Sequence, residues 1–144
     1  MKQVRNVLAL ALAGAVAAGA VGIQPVYAQD KKEYVPQNVQ RVMLKEGPLH
    51  GADGKMIHIE RIAFPPDWVG GKHYHAGPVF VYVLKGNFSV EEKGKPRQTF
   101  KAGDLYEEPI GTPMQGRVTD TDGPVEILLV QVSKEGEPLM YASE

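Results

Sequence analysis

The chain contains no cysteine among its 144 residues. It therefore has no thiolate to act as a nucleophile or metal ligand, and no disulfide, so the fold depends on its core alone. Any metal site must use histidine, methionine, carboxylate or water ligands. Beyond residue 28 the sequence also lacks a sustained helical period with capping residues, and it lacks an apolar run long enough to cross a bilayer.

The chain also has no excess of basic residues over acidic ones. The 16 lysine and arginine residues are outnumbered by 17 acidic residues, and removal of the leader described next leaves a net charge of about −3. Proteins that bind nucleic acid present a basic face to it. We therefore expect no nucleic-acid partner.

The first 28 residues have the organisation of a signal peptide. Lys2 and Arg5 form a positive start, an apolar run covers residues 7–21, and the segment ends in Val26-Tyr27-Ala28. The run is shorter than the roughly 20 residues that a spanning helix needs, so the sequence favours cleavage after Ala28 over a retained membrane anchor. We expect a periplasmic or secreted protein with no membrane partner after cleavage.

About 116 residues then remain, which is enough for one domain. Residues 29–38 are polar and predict a flexible N-terminal arm, and residues 39–144 predict a β domain. Runs rich in β-branched residues, separated by glycine and proline, predict strands over residues 39–46, 56–64, 79–85, 88–92, 97–101, 105–108, 114–119 and 125–132. Many short strands with close turns are typical of an antiparallel sandwich or barrel. Residues 79–85 are apolar on both faces, which predicts a central strand buried on both sides.

Two histidines precede that central strand, in the stretch Gly70-Gly71-Lys72-His73-Tyr74-His75. Alternate residues of an extended strand project from the same face, so His73 and His75 point the same way, about 7 Å apart along the backbone. Two imidazoles aimed into a barrel can converge on one divalent metal ion. Imidazole suits zinc, copper, iron and nickel alike.

The spacing around these histidines resembles the first motif of the cupin superfamily. That motif is HxH, three or four residues, Glu, six residues, Gly. Here His73 and His75 are followed at the same distances by Val79 and Gly86.

A second stretch resembles the second cupin motif, which is Gly, five residues, Pro-x-Gly, two residues, His. Gly103, Pro109, Gly111 and Met114 have this spacing. The resemblance implies an all-β fold, a small antiparallel β-barrel or jelly roll, with its site in the mouth of the barrel. It also implies a small-molecule ligand or substrate.

The departures from the motifs leave three interpretations open. Cupin metals are usually held by the two His and the Glu of the first motif and the His of the second, but here Val79 cannot ligate and Met114 offers a thioether. His73, His75 and Met114 together would favour copper. The two histidines alone would hold zinc, iron or nickel weakly, with water or substrate completing the shell. Without a metal, the barrel would be a non-catalytic ligand-binding or structural module.

Other side chains are candidates for the same pocket. His58 is either a third nitrogen ligand or an ordinary strand histidine, and Glu60 is a candidate carboxylate ligand. Glu107 or Glu108 could replace the missing motif carboxylate. Alternation places these two on opposite faces, and the sequence leaves open which face is the lumen.

The sequence as a whole predicts an exported cupin-domain protein with a small-molecule pocket. The resemblance covers families of enzymes and of non-enzymatic binders, and the fold does not choose between them. The resemblance also implies a homodimer that forms through an edge strand. The segment before Val42 is the expected element to cover that edge in the partner.

Overall fold

The computed structural model describes residues 31–119 and 123–144. The predicted signal peptide lies outside these residues. Within them the chain forms ten strands and no helix, and so it contains no helix that could span a membrane. The strands are β1 (Gln40–Pro48), β2 (Lys55–Phe64), β3 (His73–Tyr74), β4 (Val79–Lys85), β5 (Asn87–Glu92), β6 (Gln98–Lys101), β7 (Leu105–Glu108), β8 (Met114–Val118), β9 (Val125–Lys134) and β10 (Tyr141–Ala142).

The strands form two five-stranded antiparallel sheets. One sheet has the order β1-β2-β9-β4-β7 and the other has the order β10-β3-β8-β5-β6. Non-consecutive neighbours such as β2 and β9 pair along their whole length. The all-β, jelly-roll-like fold predicted from the sequence is confirmed.

The core lies between the two sheets and follows from strict alternation along the strands. In β9 every second side chain is buried, from Val125 to Ser133. The largest apolar contributors come from both sheets and from the loop after β2, so that one apolar cluster joins the two layers. They include Ile62, Phe64, Trp68, Phe88 and Ile127.

The eight predicted strands are all present, with ends displaced by two residues or fewer. One prediction about burial is wrong. β4 lies in the interior of its sheet as expected, but its outer face, with Phe80, Tyr82 and Leu84, is exposed because no layer covers that side in the described chain. The short strand β10 was not predicted, because its two residues carry no periodic pattern.

The N-terminal arm, expected to be flexible, is held against the barrel from Lys31 onward. The Tyr34 amide donates to the Met140 carbonyl (3.0 Å), and the Ala142 amide donates to the Lys32 carbonyl (2.7 Å). The arm thus extends the sheet beyond β10 instead of projecting into solvent.

Candidate metal centre

Opposed residues on neighbouring antiparallel strands lie on the same face of a sheet. In the first sheet one such row runs across four strands, through His58, Gln131, Val79 and Glu108. All four side chains are buried. Glu108 therefore stands directly beside Val79, the position at which the cupin motif has its glutamate.

In the second sheet a shorter row runs through His73, Met114 and Glu92. The two rows face each other across the interior. As a result Glu108, which belongs to one sheet, meets His73 on β3 of the other sheet and His75, which follows β3.

His73, His75 and Glu108 form a compact cluster. One potential ligand atom from each residue lies within 4.8 Å of the others, and all three residues are buried. His75 is 1% exposed. Its Nε2 lies 2.9 Å from Oε2 of Glu108, and the two imidazole rings meet edge to face with their centroids 5.2 Å apart.

The backbone fixes the tautomer of both imidazoles. Nδ1 of His73 lies 3.0 Å from the Gly71 carbonyl oxygen, and Nδ1 of His75 lies 3.1 Å from the Leu139 carbonyl oxygen. A carbonyl oxygen only accepts hydrogen bonds, so in each ring Nδ1 carries the proton and donates it. When such a ring is neutral, its lone pair is on Nε2. This is the arrangement that metal-binding histidines adopt.

Burial favours the neutral form of His73. Removal from water lowers the pKa of His73 below its ordinary value of 6.5, and the neighbouring His75 lowers it further. The hydrogen bond to Gly71 and the charge of Glu108 act in the opposite direction but are outweighed. His73 is therefore neutral at pH 7, with Nε2 able to bind a cation.

Tyr106 positions the carboxylate of Glu108. Its hydroxyl donates to Oε1 of Glu108 at 3.2 Å, and its ring stacks on Phe100 with centroids 4.1 Å apart. Burial, with the adjacent Glu108 charge, raises the pKa of Tyr106 well above 10, so the phenol keeps its proton. The other oxygen, Oε2, is buried and accepts no hydrogen bond from any described residue, although it lies close to His75.

The close contact between Glu108 and His75 requires a positive charge between them. A carboxylate oxygen and an imidazole lone pair 2.9 Å apart repel each other unless a proton or a metal ion lies between them. Two Nε2 atoms and one unsatisfied carboxylate oxygen, each fixed by a neighbouring group, fit a divalent cation. The same donor set holds zinc and iron in other proteins.

The arm covers this cluster. The Tyr34 ring stacks on His73, with centroids 4.9 Å apart and planes 16° apart, and its hydroxyl accepts a hydrogen bond from the Gly71 amide (2.7 Å). Gly71 allows this contact, since a Cβ there would lie 2.7 Å from the Tyr34 ring. Pro36 lines the same small cavity as the histidines, about 40 Å³ in volume.

Met114 lines this cavity too, so three of the predicted metal ligands, His73, His75 and Met114, are brought together. The two other predicted ligands on β2 are not. His58 is buried but contacts Ser133 Oγ through Nε2 (2.9 Å) and faces the Glu46 carboxylate.

Glu60 and Glu107 also lie away from the histidines. Both Glu60 oxygens accept hydrogen bonds from Arg41 at 2.7 Å, so this carboxylate is already satisfied. Glu107 is exposed on the outer face of β7. Of the two candidates that the sequence left open, Glu108 and not the predicted alternative ligand Glu107 joins the cluster, because the lumen lies on the Glu108 side of the strand.

Several solved structures resemble the chain at low identity, which shows the fold alone. A Cupin 2 conserved barrel domain protein from Salinispora arenicola is 20% identical, with a TM-score of 0.54 over 78% of this chain and 88% of its own. KdgF from a Halomonas species is 24% identical, with a TM-score of 0.52 over 69% and 84% of the two chains. The DMSP lyase DddQ from Ruegeria pomeroyi is 20% identical, with a TM-score of 0.56 over 69% of this chain. The match covers 49% of the lyase.

No curated protein matches the sequence. The sequence profile of the cupin domain matches residues 60–131, which is half of the 144-residue chain. This match spans the strands that carry the histidines, Glu108 and Met114. The chain therefore belongs to the cupin domain family.

Proposed function

We propose that this protein is a metal-dependent cupin that holds a divalent ion through His73, His75 and Glu108. One observation carries the proposal. The buried Oε2 of Glu108 has no hydrogen bond among the described residues and faces the Nε2 lone pair of His75. Leaving such an oxygen unsatisfied costs about 1–3 kcal/mol or more, and a bound cation removes that cost.

The types of ligand indicate which metal the proposed site would prefer. Two imidazoles and a carboxylate are the ligands of catalytic zinc sites and of non-haem iron sites. With a carboxylate in the set, we propose zinc, iron or nickel ahead of copper, and we assign Met114 to the wall of the site. When bound, the ion supplies Lewis acidity or oxygen activation.

The protein's own residues orient the ligands and exclude water. The Gly71 and Leu139 carbonyls fix the two rings, and the Tyr106 hydroxyl holds one carboxylate oxygen. Tyr34 covers His73 from the solvent side. The substrate is proposed to be a small organic molecule.

The test is metal content and metal affinity, measured on protein that starts at Gln29 and is purified without chelator or histidine tag. We expect close to one equivalent of metal per chain. Glu108→Gln should weaken affinity by at least about 100-fold, since it removes a ligand rather than a supporting group. Glu107→Gln is the matched control and should leave affinity unchanged, because Glu107 is exposed on the opposite face.

A second candidate function follows from the same 2.9 Å contact. If His75 is protonated, the contact with Glu108 is a buried ion pair and needs no metal. The protein would then be a metal-free binding or structural module. Wild-type protein that takes up no zinc, iron, nickel or copper would support this alternative and contradict the metal proposal.

The opposition of Val79 and Glu108 offers a further test. The two residues are direct neighbours on β4 and β7, with side chains on the same face. Glu108→Val should weaken metal affinity by at least about 100-fold, and adding Val79→Glu should recover at least about tenfold of that loss, by returning a carboxylate to the same cavity. No recovery, in a double variant that still folds, would argue against Glu108 as a ligand.

We also propose that the protein is exported, on the strength of the leader sequence alone. The test is the N-terminus of the protein recovered from the periplasm or the medium. A start at Gln29 supports the proposal, whereas a full-length cytoplasmic chain contradicts it.

A further inference from the structure

The cavity beside His73 and His75 is too small for an organic molecule. Its volume is about 40 Å³, and a single water needs about 10–15 Å³ of such a cavity. This space accommodates an ion and a few waters at most. An organic substrate must therefore approach the ion from an adjoining space.

An open pocket of about 470 Å³ adjoins this cavity, and we call it the vestibule. Met114 lines both spaces. In the sheet Met114 stands between His73 on β3 and Glu92 on β5, directly opposite each. The Met114 side chain is thus the partition between the vestibule and the proposed metal centre. The other vestibule residues used below are Lys72, Glu91, Glu92, Lys93, Lys95 and Glu144.

The acidic side chains on β5 are already neutralised. Lys95 Nζ lies 2.6 Å from Oε2 of Glu92, whose side chain is 10% exposed. Arg97 binds Glu91 at 3.0 Å. These pairs leave neither carboxylate free to repel an incoming anion.

Two cations that line the vestibule have no such partner. Neither Lys72 nor Lys93 forms an ion pair or a side-chain hydrogen bond within residues 31–119 and 123–144. The remaining carboxylate side chain in the lining, that of Glu144, is exposed. Lys72 and Lys93 are exposed as well, and their two ammonium groups outnumber this one unpaired carboxylate. The unpaired side chains beside the partition to the metal centre therefore carry a net positive charge, which attracts and concentrates anions in a concave site.

We propose that the vestibule binds a small organic carboxylate through Lys72 and Lys93, with the rest of the molecule directed past Met114 toward the metal centre. The assignment of this anion as substrate rests on the proposed metal-dependent function. The anion site itself rests on the vestibule's lysines. Experiments can therefore refute the anion site and the metal-dependent function independently of each other.

The experiment uses propanoate and its neutral isostere propanamide, titrated into ¹⁵N-labelled full-length mature protein at low ionic strength. Amide shifts of Gly94 and Gln115, which line the vestibule, report binding. We expect propanoate to bind at least about tenfold more tightly than propanamide. Lys72→Gln/Lys93→Gln should remove that preference. Lys55→Gln/Lys85→Gln has the same net charge and places the changes outside the vestibule, so it should retain the preference.

Metal affinity is measured on the same variants. The proposal requires that Lys72→Gln/Lys93→Gln bind metal as tightly as wild type. The vestibule proposal would be overturned if propanoate and propanamide bound equally well. It would also be overturned if both double variants lost the preference for propanoate to the same extent. So would propanoate binding that disappears in Glu108→Gln but survives in Lys72→Gln/Lys93→Gln, since the anion would then bind the metal alone. Lysine-dependent propanoate binding in a protein that takes up no metal would support the anion site and refute the metal-dependent function.

Discussion

Tyr106 shows how a single hydroxyl can set the geometry of a site that it does not enter. The Tyr106 phenol donates to Oε1 of Glu108, and its ring is held by Phe100. Groups that hold metal ligands in place typically change metal affinity by about 10–100-fold when removed. In the proposed metal centre Tyr106 is therefore a positioning residue.

Tyr106→Phe should lower metal affinity by about tenfold or more while keeping the stacked ring. The readout is the dissociation constant from competition with a chelator. Tyr74→Phe is the control, since Tyr74 stacks on Tyr141 and its hydroxyl forms no hydrogen bond in the described chain. Equal affinities for Tyr106→Phe and wild type would show that Glu108 does not depend on the phenol.

At the scale of single residues the sequence predicted part of the site. The HxH spacing alone identified the two histidines as a pair. It could not choose between Glu107 and Glu108, because alternation defines two faces without saying which one is the lumen. The Leu139 carbonyl, 64 residues from His75, carries no sequence signal at all. Tyr106 would have followed from Glu108, as both lie on one face of β7.

Strand β1 is an edge strand, and an ion pair helps to hold it against the neighbouring strand β2. Arg41 on β1 forms a two-bond ion pair with Glu60 on β2, and the Glu60 side chain is 1% exposed. Removing one member of a buried pair leaves an uncompensated charge, which is strongly destabilising. A comparable pair on the outer face, Arg61 with Glu126, is solvated on the arginine side.

Arg41→Met should lower the free energy of unfolding by about 3 kcal/mol, whereas Arg61→Met should change it by less than about 1 kcal/mol. Urea denaturation of the two variants measures the difference. Arg41→Met/Glu60→Leu should recover most of the loss, because no charge is then left buried. A double variant no more stable than Arg41→Met would show that the side chains matter for packing alone.

The elements were largely predictable, because glycine and proline mark the turns and alternation marks the strands. What could not be predicted was long-range pairing. The pairing of β2 with β9 joins residues about 70 positions apart, and no local pattern specifies it. The N-terminal arm is a second example. Its polar composition predicted flexibility, but its backbone pairs with β10, which is distant in the sequence.

For the molecule as a whole, the exposed apolar surface concentrates on the first sheet. Val42 and Leu44 on the edge strand β1 are 54% and 56% exposed. The outer face of β4, separated from β1 by two strands of the same sheet, carries more exposed apolar side chains. Exposed edge strands and contiguous apolar faces are sites of association. We propose that two copies meet here, through the same surface on each.

Light scattering should give twice the mass of the mature chain. Val42→Lys/Leu44→Lys should give the monomer mass, since four lysines would be brought together across the two-fold axis. Ile110→Lys changes an exposed apolar residue in the turn after β7 and should remain dimeric. A monomeric wild type would contradict the proposal. The arm that we expected to exchange between copies pairs here with β10 of its own chain.

The contact between the arm and β10 brings two sequence-distant segments together, with Lys32 and Ala142 joined by a backbone hydrogen bond. A short linker could therefore connect these two positions, and new ends could be opened in the exposed turn at Gly94, giving a circular permutant with the same barrel.

The position of Glu144 in the vestibule lining affects purification. A histidine tag added after Glu144 would lie beside the vestibule, within reach of any metal ion on its way to His73 and His75, so a tag cleaved before metal analysis is the safer choice.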